Sequence, residues 1–88
     1  GVRAEPFTPA CVCLVPADHQ LASEEVLTPQ LLSGVPMIGC FERHPIDVQL
    51  VEVFEEADCE LNIVARGYYH NTSRNLARCG IGIAVSTR

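Results

Sequence analysis

The sequence predicts an α/β fold: a small open sheet of about four strands, mostly parallel, with helices on both faces. Three observations predict it. Short, almost wholly apolar runs of strand length recur along the chain, at 10–16, 35–41, 61–65 and 81–85. Segments with helix-start signals or helical periodicity separate them, and fully apolar strands alternating with helices imply a parallel sheet between helical layers. The chain has 88 residues, 48% of them hydrophobic, which suits one folded domain, or a piece of one, rather than a disordered segment.

Taken in order, Gly1–Pro9 is polar and marked by Pro6 and Pro9, and reads as a lead-in segment. Ala10–Pro16 is a buried strand ended by Pro16. Ala17–Gln20 is a polar turn and Leu21–Val26 a connector. Thr28-Pro29 opens a short helix with a capping hydroxyl and a first-turn proline, and Gly34 closes it. Val35–Phe41 is the second strand and Glu42-Arg43-His44 a polar loop. Pro45 starts the longest helix, Ile46 to about Asp58. At about 100° per residue, Ile46, Leu50, Val53, Phe54 and Ala57 share one face, while Asp47, Glu52, Glu55, Glu56 and Asp58 lie outside it. Val48 and Val51 also fall off that stripe. Leu61–Ala65 is the third strand. Asn71 or Thr72 caps a third helix reaching Cys79, which Gly80 ends. Ile81–Val85 is the fourth strand, in which Gly82 allows another backbone to come close.

Charge and cysteine usage narrow the function classes. Eleven acidic residues face six basic ones, a net charge of −5. All six are arginines. Clustered positive charge for gripping nucleic acid phosphates is missing. The apolar runs fall well short of the roughly 20 residues that span a bilayer. The chain begins with Gly rather than Met and shows no apolar signal core, so a piece of a longer or processed chain is expected. Five cysteines form an odd set without tight pairing, which suggests free thiols in a reducing cytoplasm. Cys11 and Cys13 are two apart on a strand and point to one face, in an apolar context unlike a metal knuckle, so small buried hydrophobes are expected. His19 is expected to serve its own turn. Asn71-Thr72-Ser73 matches the glycosylation triplet but sits where a helix cap is needed. No catalytic constellation, metal set or phosphate loop is found, so the expectation is a protein that is not an enzyme and carries no cofactor.

In open parallel sheets, ligands sit beyond the carboxyl ends of the strands. Here those ends are the loops Cys40–Pro45 and Arg66–Asn71. Both lead into helix N-termini, whose free N–H groups favour an anion.

The order of motifs resembles LysR-type transcriptional regulators. Val12–Ala22 (VCLVPADHQLA) is similar to that family's strand ending in VP followed by HPLA, with Gln20 in place of the usual Pro. Leu27–Gly39 (LTPQLLSGVPMIG) is similar to L-x-x-L-x-G-x-P-x-I, and Ala77–Val85 (ARCGIGIAV) to V-x-x-G-x-G-I-A-L. The resemblance spans nearly the whole chain. It implies that residues 1–88 form a single α/β subdomain: one half of a type II periplasmic-binding-protein-like effector module, without the DNA-binding helix-turn-helix. The implied function is one wall of a small-molecule cleft that controls DNA binding and transcription in a cytoplasmic bacterial regulator. One lobe of a periplasmic solute-binding protein is the alternative, and a small redox protein using the cysteines a third.

The resemblance carries the two loops over as effector contacts: Cys40, Phe41, Glu42, Arg43 and His44 from the first, and Tyr68, Tyr69, His70, Asn71 and Thr72 from the second. An anionic effector suits Arg43 and His44. A solvated loop with Arg43 paired to Glu42 or Asp47 stays open. A homo-oligomer contact through the long helix and the third strand is implied at Val48, Val51, Glu55, Ile63 and Ala65, unless Val48 and Val51 pack beneath the lead-in segment. DNA would be reached only through the missing part of the parent.

Overall fold

The computed structural model describes residues 2–9, 11–40, 43–67 and 75–87. Five strands form one open sheet: β1 (Val2–Pro6), β2 (Cys11–Pro16), β3 (Pro36–Gly39), β4 (Asn62–Arg66) and β5 (Ile83–Thr87), in the order β1-β2-β5-β3-β4. β1 pairs antiparallel with β2, and β2 antiparallel with β5, whereas β5–β3 and β3–β4 are parallel. A single 3₁₀ turn covers Gln20–Ser23, α1 is Pro29–Leu32 and α2 is Pro45–Glu56. Residues 75–78 are helical.

Side-chain alternation along the strands divides the core. Cys11, Cys13, Val15, Met37, Ile83 and Val85 turn to one face, where they meet Leu21, Leu32, Ile46, Leu50 and Phe54 from the helical segments. Leu14, Ile38 and Ala84 turn to the other, where Ala77 and Leu76 of the 75–78 turn cover them. Helices therefore lie on both faces, as predicted. Cys11 and Cys13 are fully buried members of the first cluster, in keeping with thiols used as small apolar groups. α2 buries Ile46, Leu50 and Phe54 and exposes Glu52, Glu55 and Glu56.

The α/β class stands, and the sheet's details need correcting. Among the described residues the sheet has five strands rather than four, and it is mixed rather than mostly parallel. The extra strand is β1, inside the segment read as a lead-in. Its alternation is masked because it is an edge strand with little to bury, carrying Arg3, Glu5 and Pro6. An edge tolerates a proline that lacks the ladder N–H. The turn after β1 closes through Phe7 and Thr8 N–H groups donating to Cys11 O, and Cys11 N–H donating back to Thr8 O at 3.3 Å. Arg3 then ties the strand to the 3₁₀ turn, donating to Ala22 O at 2.9 Å and Glu24 O at 3.1 Å.

A second difference lies in β4. Met37 is level with Ile63, but Ile38 is level with Ala65, so Val64 is an extra residue in the ladder. This bulge breaks the two-residue alternation. Ile63 packs on the α2 side and Ala65 on the opposite side, while Val64 is 49% exposed.

The buried Cys13 thiol gives the fold a pH limit. Burial, with Cys11 beside it adding in the same direction, pushes the Cys13 thiol from 9.0 up to about 12. An unfolded Cys13 loses its proton near pH 9, whereas the folded one keeps it. Stability is therefore whole below about pH 9 and falls by about 1.4 kcal/mol per pH unit above it, until the folded thiol itself titrates. Urea midpoints should drop between about pH 9 and pH 10, and a Cys13→Ala variant should show a shallower drop. Equal slopes in the two proteins would contradict this assignment.

Candidate functional site

β3, β4 and β5 run parallel, so their carboxyl ends share one edge of the sheet. β3 exits through Gly39 and Cys40, and β4 through Arg66 and Gly67. The Gly67 N–H donates to Gly39 O at 2.9 Å, so the two exits lie side by side. The turn 7–9 reaches the same edge, because Cys11 is level with Thr87 of β5. Its Thr8 hydroxyl donates to Gln49 Oε1 of α2 and accepts from the Cys11 N–H at 3.1 Å.

Buried polar residues occur along this edge, on both faces of the sheet. Among the described residues, Thr8, Asp47 and Ser86 are the buried polar or charged ones, and all three belong to this edge. Asp47 is 7% exposed. Its Oδ1 accepts from the Cys40 N–H at 3.0 Å, and its Oδ2 pairs with Arg66 Nη1. The sequence sets Asp47 outside the apolar stripe of the helix, and the structure buries it there against the end of β4. Asp47 stands in the first turn of α2, three residues after the capping His44. There an acidic group meets the free N–H groups and the positive end of the helix, while the crossover brings Arg66 to it from β4. An acid at the third helical position together with an arginine ending a strand was the available signal. The Arg43–Asp47 pairing left open in the sequence is excluded as Asp47's main partnership, which belongs to Arg66.

Three of the predicted contact residues are described. Arg43 is exposed and holds a left-handed backbone, φ 68°, a conformation that non-glycine residues rarely adopt. It turns the chain so that His44 caps α2, with His44 Nδ1 accepting from the Ile46 N–H at 3.1 Å. His44 Nδ1 is thus committed to the backbone, and the ring proton lies on Nε2. His19 does the same at the 3₁₀ turn, accepting from Leu21 N–H at 3.0 Å. Cys40 is half-buried, and its thiol is held above the usual range by burial first, then by Asp47 and Cys11, against a lowering by Arg66. Phe41, Glu42, Tyr68, Tyr69, His70, Asn71 and Thr72 lie outside the described residues.

Of the predicted subunit-contact residues, Val48 and Val51 are 45% and 44% exposed, and Glu55 is exposed beside them. The segment after β1 touches α2 elsewhere, through Gln49 and Phe54, so Val48 and Val51 are not packed beneath it. Ile63 and Ala65 are half-buried against the two halves of the core. A groove of about 370 Å³ lies between the turn 7–9, the start of α1 and the flank of α2, lined in part by Glu52 and Glu56. Among the described loop residues, Cys40, Arg43 and His44 do not line it.

This architecture is that of solved bacterial regulators. The chain superposes on HinK, a LysR family transcriptional regulator from Pseudomonas aeruginosa, with a TM-score of 0.77 at 24% identity, covering 99% of this chain and 30% of that one. It superposes on a second LysR-family regulator from the same organism, PA01 protein, with a TM-score of 0.78 at 24% identity, covering 99% of this chain and 31% of that one. In sequence it is 31% identical over 71 residues to YybE of Bacillus subtilis (strain 168), an uncharacterized HTH-type transcriptional regulator. That match covers 81% of this chain and 24% of YybE, so the chain spans about a quarter of this relative. The family model for the LysR substrate binding domain matches residues 2–88. The chain belongs to the LysR substrate-binding domain family. No described helix is long and apolar enough to cross a membrane.

Proposed function

We propose that residues 1–88 form one of two subdomains of the effector module of a LysR-type transcriptional regulator, and that the carboxyl edge of the sheet is one wall of its small-molecule cleft. The observation that carries this is the pair of parallel strand exits, β3 and β4, held side by side by the Gly67 N–H donating to Gly39 O and by Asp47 reaching both. In open α/β sheets, the space beyond the carboxyl ends of the strands is where ligands sit. Cys40, Arg43 and His44 border it from the first loop, and the second loop, residues 68–72, springs from Gly67. Arg43 and Arg66 suit an anionic effector.

The mechanism is recognition. An effector held between this wall and a second subdomain favours one relative orientation of the two, and so alters how the parent presents its DNA-binding part. Two copies pair through the stripe Val48, Val51 and Glu55 of α2, flanked by Ile63 and Ala65 of β4. Exposed apolar surface of this kind marks an interaction site. The parent works in the cytoplasm, where its DNA is. Family membership favours this reading over a periplasmic lobe.

Calorimetry with a panel of small carboxylates on the parent regulator and on this chain alone tests the reading. A carboxylate should bind the parent and bind the isolated chain at least about 100-fold more weakly, a loss of about 2.8 kcal/mol from the missing wall. Arg43→Gln should weaken binding to the parent. Equal binding to the two proteins, or parent binding that is indifferent to the loop residues, would overturn it.

A further inference from the structure

Asp47 is the buried carboxylate of the described chain, and its two oxygens serve two different strands. Oδ1 takes the N–H of Cys40, the first residue after β3, and Oδ2 takes the guanidinium of Arg66, the last residue of β4. The backbone makes room for this arrangement. A Cβ on Gly39 would stand 2.7 Å from Asp47 Oδ2 and 3.4 Å from Arg66 Nη1. Stability alone is a weak reason for such a pair, since the Arg66 side chain is 35% exposed and ion pairs open to water contribute little. What the pair adds is geometry: a fork with fixed directions that fastens one strand exit to the other.

We propose that Asp47 is a positioning residue of the cleft edge, holding the exits of β3 and β4, at Cys40 and Arg66, as one rigid unit. The purpose rests on the effector-cleft reading, while the coupling can be measured without any ligand. If the coupling holds and no carboxylate binds, the cleft reading alone fails. If a carboxylate binds and the coupling is missing, this proposal alone fails.

Hydrogen–deuterium exchange on the parent regulator tests it, with Asp47→Asn and Arg66→Gln compared against the unaltered protein. Each variant should raise exchange about tenfold in both segments, Gly39–Asp47 and Asn62–Gly67, and leave β2 unchanged. Arg66→Lys keeps the charge without the planar fork and should fall between. Alkylation of Cys40, the residue whose N–H Asp47 holds, should be faster in both Asp47→Asn and Arg66→Gln, with Arg66→Lys between. A rise confined to the altered residue's own segment, a rise spread over every segment alike, or Cys40 reactivity unchanged in Arg66→Gln would overturn the proposal.

Discussion

Gly82→Ala is expected to cost about 3 kcal/mol of folding stability, through forced overpacking between two strands. A Cβ at Gly82 would stand 2.6 Å from the carbonyl oxygen of Pro36 and 2.9 Å from its carbonyl carbon. Both are backbone atoms at the start of β3, so no side chain can swing aside. Relief would come only by spreading β5 from β3, and that pairing sits at the centre of the sheet, next to the candidate cleft strands. A chain of this size has little stability to spare. Urea unfolding followed by circular dichroism should show a much lower midpoint at an unchanged slope. A shift under about 0.5 kcal/mol would mean that the strands do not approach this closely.

Phe54→Ala should cost about as much, about 3–5 kcal/mol, by opening a cavity under α2. Phe54 is 1% exposed and is among the largest buried side chains. Its ring lies 6.1 Å from that of Phe7, tilted by 53°, so the loss reaches the turn after β1 as well. A double-mutant cycle with Phe7→Ala should return a coupling of about 0.5–1.5 kcal/mol. Phe54→Leu should recover part of the loss. Additive effects would show that the two rings do not support each other.

These two positions also show how far the sequence could be read. Gly82 was legible because a glycine inside an apolar run has few other reasons to be there. Phe54 was legible from helical spacing alone. The capping signals at Thr28-Pro29 and the stop at Gly34 placed α1, where the Thr28 hydroxyl accepts from the Leu31 N–H at 3.2 Å. β1 was not legible, because a strand that buries little carries no apolar alternation. The bulge at Val64 was not legible either, since an extra residue leaves no trace in composition. Within the candidate site, topology pointed to the exits of β3 and β4, and the structure sets those two exits side by side. The partnership of Asp47 with Arg66, 19 residues apart, needed the β3–α2–β4 crossover to be seen. A helix wheel judges each residue against its own helix and cannot tell that a charge outside the apolar stripe meets an opposite charge from a strand.

The broken ladder at Val64 also decides how this side of the sheet can grow. β4 is the outermost strand there, with one row of backbone groups facing outward. A foreign strand laid along it would match Asn62 and Ile63 and then fall out of step. Cross-β stacking requires an even repeat along the whole strand, so fibre growth from this margin stalls at the third residue.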